Sequence, residues 1–184
     1  MFIQTEQTPN PATLKFLPGR KVTASGMANF TSAEAARLSP LAERLFTLPQ
    51  VTGVFLGADF ITVTKDRDGD WQQLKPVILG MIMEHFMAGL PILLASSHDD
   101  AMPEPSEEED EVVSQIKELL ETRVRPAVAQ DGGDIIFYDY EDGIVYLHMQ
   151  GSCSGCPSST ATLKAGIENM LRHYIPEVVE VRAV

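Results

Sequence analysis

Along the first half of the chain the spacing of apolar side chains switches between two periods. Phe2 to Gln7 and Thr13 to Leu17 alternate apolar with polar positions around the turn-forming Thr8-Pro9-Asn10-Pro11, which predicts a hairpin-like start. Ser39-Pro40 opens a short helix through Phe46, with Ser39 as cap and Pro40 at the first helical position. Val51 to Leu56 and Phe60 to Lys65 flank Gly57-Ala58-Asp59 and predict a second hairpin. From Trp71 the period becomes helical: Leu74, Val77, Ile78, Met81, Ile82, His85 and Phe86 share one face, and Pro76 is compatible if it lies in the first turn. Together these elements predict a small α/β sandwich, a helix covering a sheet.

The second half repeats the scheme with different parts. Val112, Val113, Ile116, Leu119, Leu120 and Val124 form a helical stripe that Pro126 ends or kinks. Asp131-Gly132-Gly133-Asp134 then turns the chain, and it reads as a turn that shapes the fold, not as a binding site. Ile135 to Tyr140 and Ile144 to Met149 are strands around Glu141-Asp142-Gly143. After a loop at 151–157 comes a helix with Leu163, Ile167, Met170, Leu171 and Tyr174 on one face; Pro176 stops it, and Val178 to Val184 alternates like a last strand.

Between the halves the pattern disappears. Residues 96–110 are polar, acidic and Pro-containing, and they bury too little apolar surface to offset the entropy of ordering. The expected fold is therefore α+β in two small domains, each a short sheet covered by helices: residues 1–95, an acidic flexible linker at 96–110, and residues 111–184. Of 26 acidic residues in the chain, eight fall in 99–111, so the net charge of -12 is concentrated there. The bland reading of that run is a solvated linker whose last residues favour the first turn of the next helix. A chain so acidic, with no cluster of Lys and Arg, is not built to displace counterions from nucleic acid. The longest apolar run, around Pro76 to Met83, is too short to span a bilayer, so no membrane is expected. The start of the chain has neither a secretory nor an organelle-transit pattern, which points to a bacterial cytoplasmic protein or to a trimmed form from the mitochondrial matrix.

The chain holds two cysteines, Cys153 and Cys156, too few for a disulfide framework and suited to a reducing compartment. They sit three apart in Gly151-Ser152-Cys153-Ser154-Gly155-Cys156-Pro157, where the glycines let the backbone bend so that both sulfurs converge. The helix that follows turns its unpaired amides and positive dipole end toward them, an arrangement that favours thiolate. Ser158, Ser159 or Thr160 is placed to cap it.

Several chemistries use such a pair. Two thiols that merely fill a core leave the flanking glycines unexplained. A thioredoxin-like redox motif also lies between a strand and a helix, but only one helix and one strand follow Cys156 here. Structural zinc needs four ligands, and the chain offers two sulfurs; His148 lies nearby on a strand, while His85, His98 and His173 have no spacing relation to the cysteines. A [4Fe-4S] cluster takes four thiolates, so two chains related by a twofold axis would complete the set and hold the cluster exposed and releasable. Neither a P-loop, nor a nucleophilic Ser on a strand-to-helix elbow, nor a His-Glu metalloprotease pair occurs, so no enzyme is expected.

The stretch from Asp131-Gly132-Gly133-Asp134 through Gly151-Ser152-Cys153-Ser154-Gly155-Cys156-Pro157-Ser158-Ser159-Thr160 to Gly166-Ile167-Glu168 closely resembles the NifU C-terminal domain. Gln4-Thr5-Glu6-Gln7-Thr8-Pro9-Asn10-Pro11, with Leu14-Lys15-Phe16 and Pro18-Gly19, resembles the N-terminal domain of Nfu scaffold proteins. The resemblance implies a scaffold and carrier in which Cys153 and Cys156 ligate a [4Fe-4S] cluster shared between two chains of a homodimer. It also implies upstream assembly proteins as donors, apo iron–sulfur client proteins as acceptors, and an N-terminal domain that targets clients or stabilises the protein. Two other functions remain open on the residues: a thiol–disulfide oxidoreductase using the same pair, and an interaction module that zinc stabilises.

Overall fold

The first hairpin forms where the alternation places it. In the computed structural model, which describes residues 1–24, 26–94, 111–154 and 157–184 (without the side chains of 157–159), strand β1 (Gln4–Gln7) pairs antiparallel with β2 (Thr13–Leu17), Gln4 opposite Leu17. Asn10 closes the turn, its Oδ1 accepting from the Ala12 amide at 3.0 Å, and the Thr8 hydroxyl donates to the Thr13 carbonyl at 2.9 Å. The chain divides into two compact units, Met1–Ser96 and Ser97–Val184. The linker expected at 96–110 lies outside the described residues.

In the first unit, β3 (Ala28–Phe30), β4 (Val51–Leu56) and β5 (Ile61–Lys65) complete a sheet of order β1-β2-β5-β4-β3, antiparallel throughout. The short β3 was not expected; three residues are too few to show a period. Helix α1 (Pro40–Leu45) starts as its sequence requires, with the Ser39 hydroxyl accepting from the Ala42 amide at 3.1 Å. Helix α2 (Trp71–Met87) is capped by Asp70 and buries Leu74, Ile78, Ile82 and His85 against the sheet. Two details differ from the periodic reading. Val77 is 46% exposed, at the edge of the stripe. Pro76 is the sixth helical residue, past the first turn; it sits on the exposed side, where water can take the Gln72 carbonyl that its missing N–H leaves unpaired.

In the second unit, Pro126 neither ends nor simply kinks the helix. Helix α3 (Glu111–Leu119) widens into a π turn over Leu120–Val124, where the Arg125 amide donates to the Leu120 carbonyl five residues back, and then continues as α4 (Arg125–Gln130). The wider turn relieves a ring that cannot donate to, and would press on, the carbonyl of Thr122. Strand β6 (Gly133–Glu141) pairs antiparallel with β7 (Ile144–Gly151) through a tight turn in which Asp142 (φ 50°) and Gly143 (φ 79°) are both left-handed. Helix α5 (Pro157–Tyr174) provides the crossover that a parallel neighbour requires, and β8 (Glu180–Ala183) returns beside β7 in the order β6-β7-β8. Ile116, Leu120, Ile135, Val145, Leu147, Leu171 and Val181 form the core of this unit.

Candidate functional site

The site lies where β6 begins and β7 ends. Gly133 and Gly151 are cross-strand partners, and each has a neighbour or itself in the left-handed region: Gly132 at φ 79° and Gly151 at φ 63°. The chain leaves β7 at Gly151 and passes through Ser152 to Cys153, 2% and 6% exposed respectively. Two bonds tie this loop back to the preceding turn: the Ser152 amide donates to the Gly132 carbonyl at 3.2 Å, and the Ser152 hydroxyl donates to the carbonyl of Asp131. On the other side the Thr160 hydroxyl, in the first turns of α5, donates to the Cys153 carbonyl at 3.2 Å. Thr160 is thus a donor to the loop; the side chains of Ser158 and Ser159 are not among those described.

Gly133 forms the wall against which the Cys153 sulfur rests. A Cβ at residue 133 would stand 2.4 Å from Cys153 Sγ and 3.0 Å from the Cys153 amide nitrogen. Glycine is needed there for space, not for a special backbone angle. Asp131-Gly132-Gly133-Asp134 therefore does more than the turn read from sequence, since it builds one side of the cysteine loop.

Beyond the wall, Asp134 is 1% exposed and fully engaged. Arg125 donates to it with both arms of its guanidinium, Nε to Oδ1 at 2.9 Å and Nη2 to Oδ2 at 3.0 Å, and the Ile135 amide adds a bond at 2.8 Å. Glu121 accepts from the third side of the same guanidinium, and the carboxylates together push the Arg125 pKa upward. Sequence reasoning missed Arg125. The available signal was an Arg directly before the helix-disrupting Pro126 and nine residues ahead of an Asp.

Burial pushes the Cys153 thiol up to about 11; a hydrogen bond with Ser152 works against that, and the charges of Asp131 and Asp134 add to it. The dipole-favoured thiolate expected from the sequence is not the state of the free Cys153, because desolvation outweighs the local dipoles. Cys156, the second expected ligand, lies outside the described residues, as does Gly155. Among the described residues no group of three His, Cys, Asp and Glu side chains is placed to hold a metal. His148 is held by the chain's last carbonyl, Nδ1 to Val184 at 3.0 Å, and His173 stacks edge-on against Tyr174. His85 is buried in the other unit with Nε2 3.0 Å from the Pro91 carbonyl; His98 lies outside the described residues. No helix among those described is long and apolar enough to cross a membrane.

Residues 3–89 match the family described as scaffold protein Nfu/NifU N terminal, and residues 116–182 match the NifU-like domain. Relatives from Drosophila grimshawi and Drosophila ananassae, both named NFU1 iron-sulfur cluster scaffold homolog, mitochondrial, are 54% identical to this chain over its whole length. The chain spans 61% of the first relative and 64% of the second. The solution structure of a NifU-like protein from Saccharomyces cerevisiae is 27% identical, with a TM-score of 0.48, over 52% of this chain and 87% of that one.

Proposed function

The chain belongs to the NifU-like family, with an Nfu-type N-terminal domain ahead of a NifU-like domain, and from that premise we propose that it is an iron–sulfur scaffold and carrier. In this reading residues 1–95 are the Nfu domain, 96–110 the acidic linker, and 111–184 the domain that holds the cluster. Cys153 and Cys156 of one copy, with the same pair from a second, ligate a [4Fe-4S] cluster between two chains. Cysteines of apo client proteins then take the cluster by ligand exchange, and upstream assembly proteins supply it. The cluster is cargo, and no chemical turnover is assigned to the chain. The relatives' names favour the mitochondrial matrix of the two compartments considered.

The observation that carries this reading is the recess formed by Gly133. It keeps a soft sulfur donor in place at the junction of two strand ends and a helix start, and thiolates are the donors that select iron–sulfur clusters. With only two cysteine thiols per chain, completing the coordination falls to a second copy.

Anaerobic reconstitution with iron and sulfide tests the proposal, with metal analysis and light scattering on the product. The expected product is a dimer with roughly four irons per two chains, from the composition of the cluster. Cys156→Ala and Gly133→Ala should each fail to retain it. An iron-loaded monomer, or an intact cluster on the Cys156→Ala protein, overturns the proposal.

A further inference from the structure

The sheet of the N-terminal unit ends at β1, which pairs with β2 on one side and, among the described residues, with no strand on the other. In an antiparallel ladder every second residue turns its N–H and C=O away from its partner, so the outer rim of Gln4–Gln7 presents main-chain donors and acceptors to solvent. The usual protections of such a rim are missing. β1 holds no Pro or Lys, its register with β2 is unbroken, and its single charge, Glu6, faces Lys15 directly across the pair at 3.7 Å. The opposite rim of the sheet, β3, has no exposed residue, whereas Gln4, Glu6 and Gln7 are all exposed. Two hollows adjoin β1 and share Phe2 and Gln4: Leu17, Arg20 and Lys21 line the first together with Asp59, and Glu6, Lys75 and Leu79 line the second. Phe2 is 79% exposed, Arg20 is held over the Phe86 ring of α2 at 5.8 Å, and among the described residues neither Lys21 nor Lys75 has an ion-pair partner.

We propose that β1 is a docking edge for an extended acidic segment of a partner protein, which adds to the sheet as a further strand. Main-chain pairing supplies the attraction that any strand would feel, and the two hollows receive side chains of the added strand. Arg20, Lys21 and Lys75 make the edge selective for carboxylates. The net charge of -12 repels acidic partners from the chain at large, so these local cations fix where such a segment lands. Cys153 takes no part, and the proposal stands or falls separately from the scaffold reading.

The test titrates the full chain into a fluorescein-labelled peptide that alternates glutamate with valine over about eight residues, the length of an ordinary strand, and reads anisotropy. A lysine–valine counterpart should bind the parental chain more weakly. On the Arg20→Glu, Lys21→Glu double variant the order should invert, with the glutamate peptide losing about tenfold in affinity. Both substitutions fall on exposed side chains, so the Trp71 unfolding transition should not move. N-methylating alternate residues of the glutamate peptide should abolish binding in one of the two phases and spare it in the other, because an added strand pairs through one rim. Amide hydrogen exchange should slow on binding at the outward N–H groups of residues 4–7 and stay unchanged at 28–30. The proposal is overturned by absence of binding, by equal affinity for the two peptides, by tolerance of N-methylation in both phases, or by protection at β3 instead. It is also overturned if the outward amides of β1 are already protected in the free chain, which would give the edge to the chain's own acidic run or to a second copy.

Discussion

The two units use their buried polar side chains in different ways. In the N-terminal unit these groups are scattered, and each completes a piece of architecture. Asn10 closes the first hairpin, Thr13 pairs its hydroxyl with that of Thr64 across β2 and β5, Thr23 donates to the Gly26 and Gly57 carbonyls, Ser39 caps α1, and His85 binds the Pro91 carbonyl. In the C-terminal unit the buried polar residues among those described are Asp134 and Ser152, one following Gly133 at the start of β6 and the other bonded to the Asp131 carbonyl. Desolvating a polar group costs free energy unless its bonds are replaced. A unit that concentrates this cost in one place has put it beside the loop proposed to hold the cluster. The first unit has the larger sheet, and its buried polar groups are spread over its turns, strands and helices; the smaller unit has an irregular helix and a short mixed sheet, and its described buried polar groups flank the turn at Asp131–Gly133.

The largest expected effect separates the units by their cores. Phe16 is fully buried in β2, and Phe16→Ala should cost about 3–5 kcal/mol. The only tryptophan, Trp71, lies in the same unit, so its fluorescence should report the lowered urea midpoint. Iron uptake at Cys153 should be unchanged, and a parallel loss of uptake would break the comparison. Next comes Arg125→Met, which leaves the Asp134 carboxylate buried without its two-armed partner, at a cost of about 3 kcal/mol. Here the pattern should be reversed: far-UV circular dichroism registers a weaker C-terminal unit, Trp71 fluorescence does not, and iron uptake falls. Adding Asp134→Asn to Arg125→Met should recover part of the loss, because the stranded charge is then gone.

Most of the fold was legible because most of it follows period and punctuation. Ser39-Pro40 predicted its helix start to the residue, and the turn expected at Glu141-Asp142-Gly143 forms one residue tighter, with Asp142 and Gly143 both left-handed between the strands. What escaped depends on contacts between residues far apart in sequence. Gly132-Gly133 looks like a flexible turn on its own; only the fold, bringing residue 153 to within 2.4 Å of where a Cβ would stand, shows that the second glycine is an absence of bulk required by a sulfur. The protonated Cys153 escaped for the same reason. Its dipole environment is local and readable, but its burial and the charges of Asp131 and Asp134 are set by tertiary packing. Pro126 was read as a disruption, yet its effect, a π turn that ends at Arg125, could not be chosen from among the ways a helix absorbs a proline.

The smallest expected effect concerns Ser39, the counterpart of Ser152 in the other unit. Both are buried serines whose hydroxyl donates to a carbonyl distant in sequence, but Ser39 joins two structural segments: it accepts from the Ala42 amide to cap α1 and donates to the Ile92 carbonyl beyond α2. Ser39→Ala removes both bonds and should lower stability by about 1–2 kcal/mol in the Trp71 transition. Ser39→Gly separates the two contributions, because glycine is an adequate cap in place of serine at a cost of only a few tenths of a kcal/mol, yet it cannot supply the proton that Ile92 takes. If the bond to Ile92 dominates, as burial of the hydroxyl argues, Gly and Ala should be nearly equally damaging; near-parental stability for Gly would assign the effect to the cap. In neither variant should cluster loading change. A shift there would mean that polar groups of the N-terminal unit reach the site after all, and the contrast between the units would not hold.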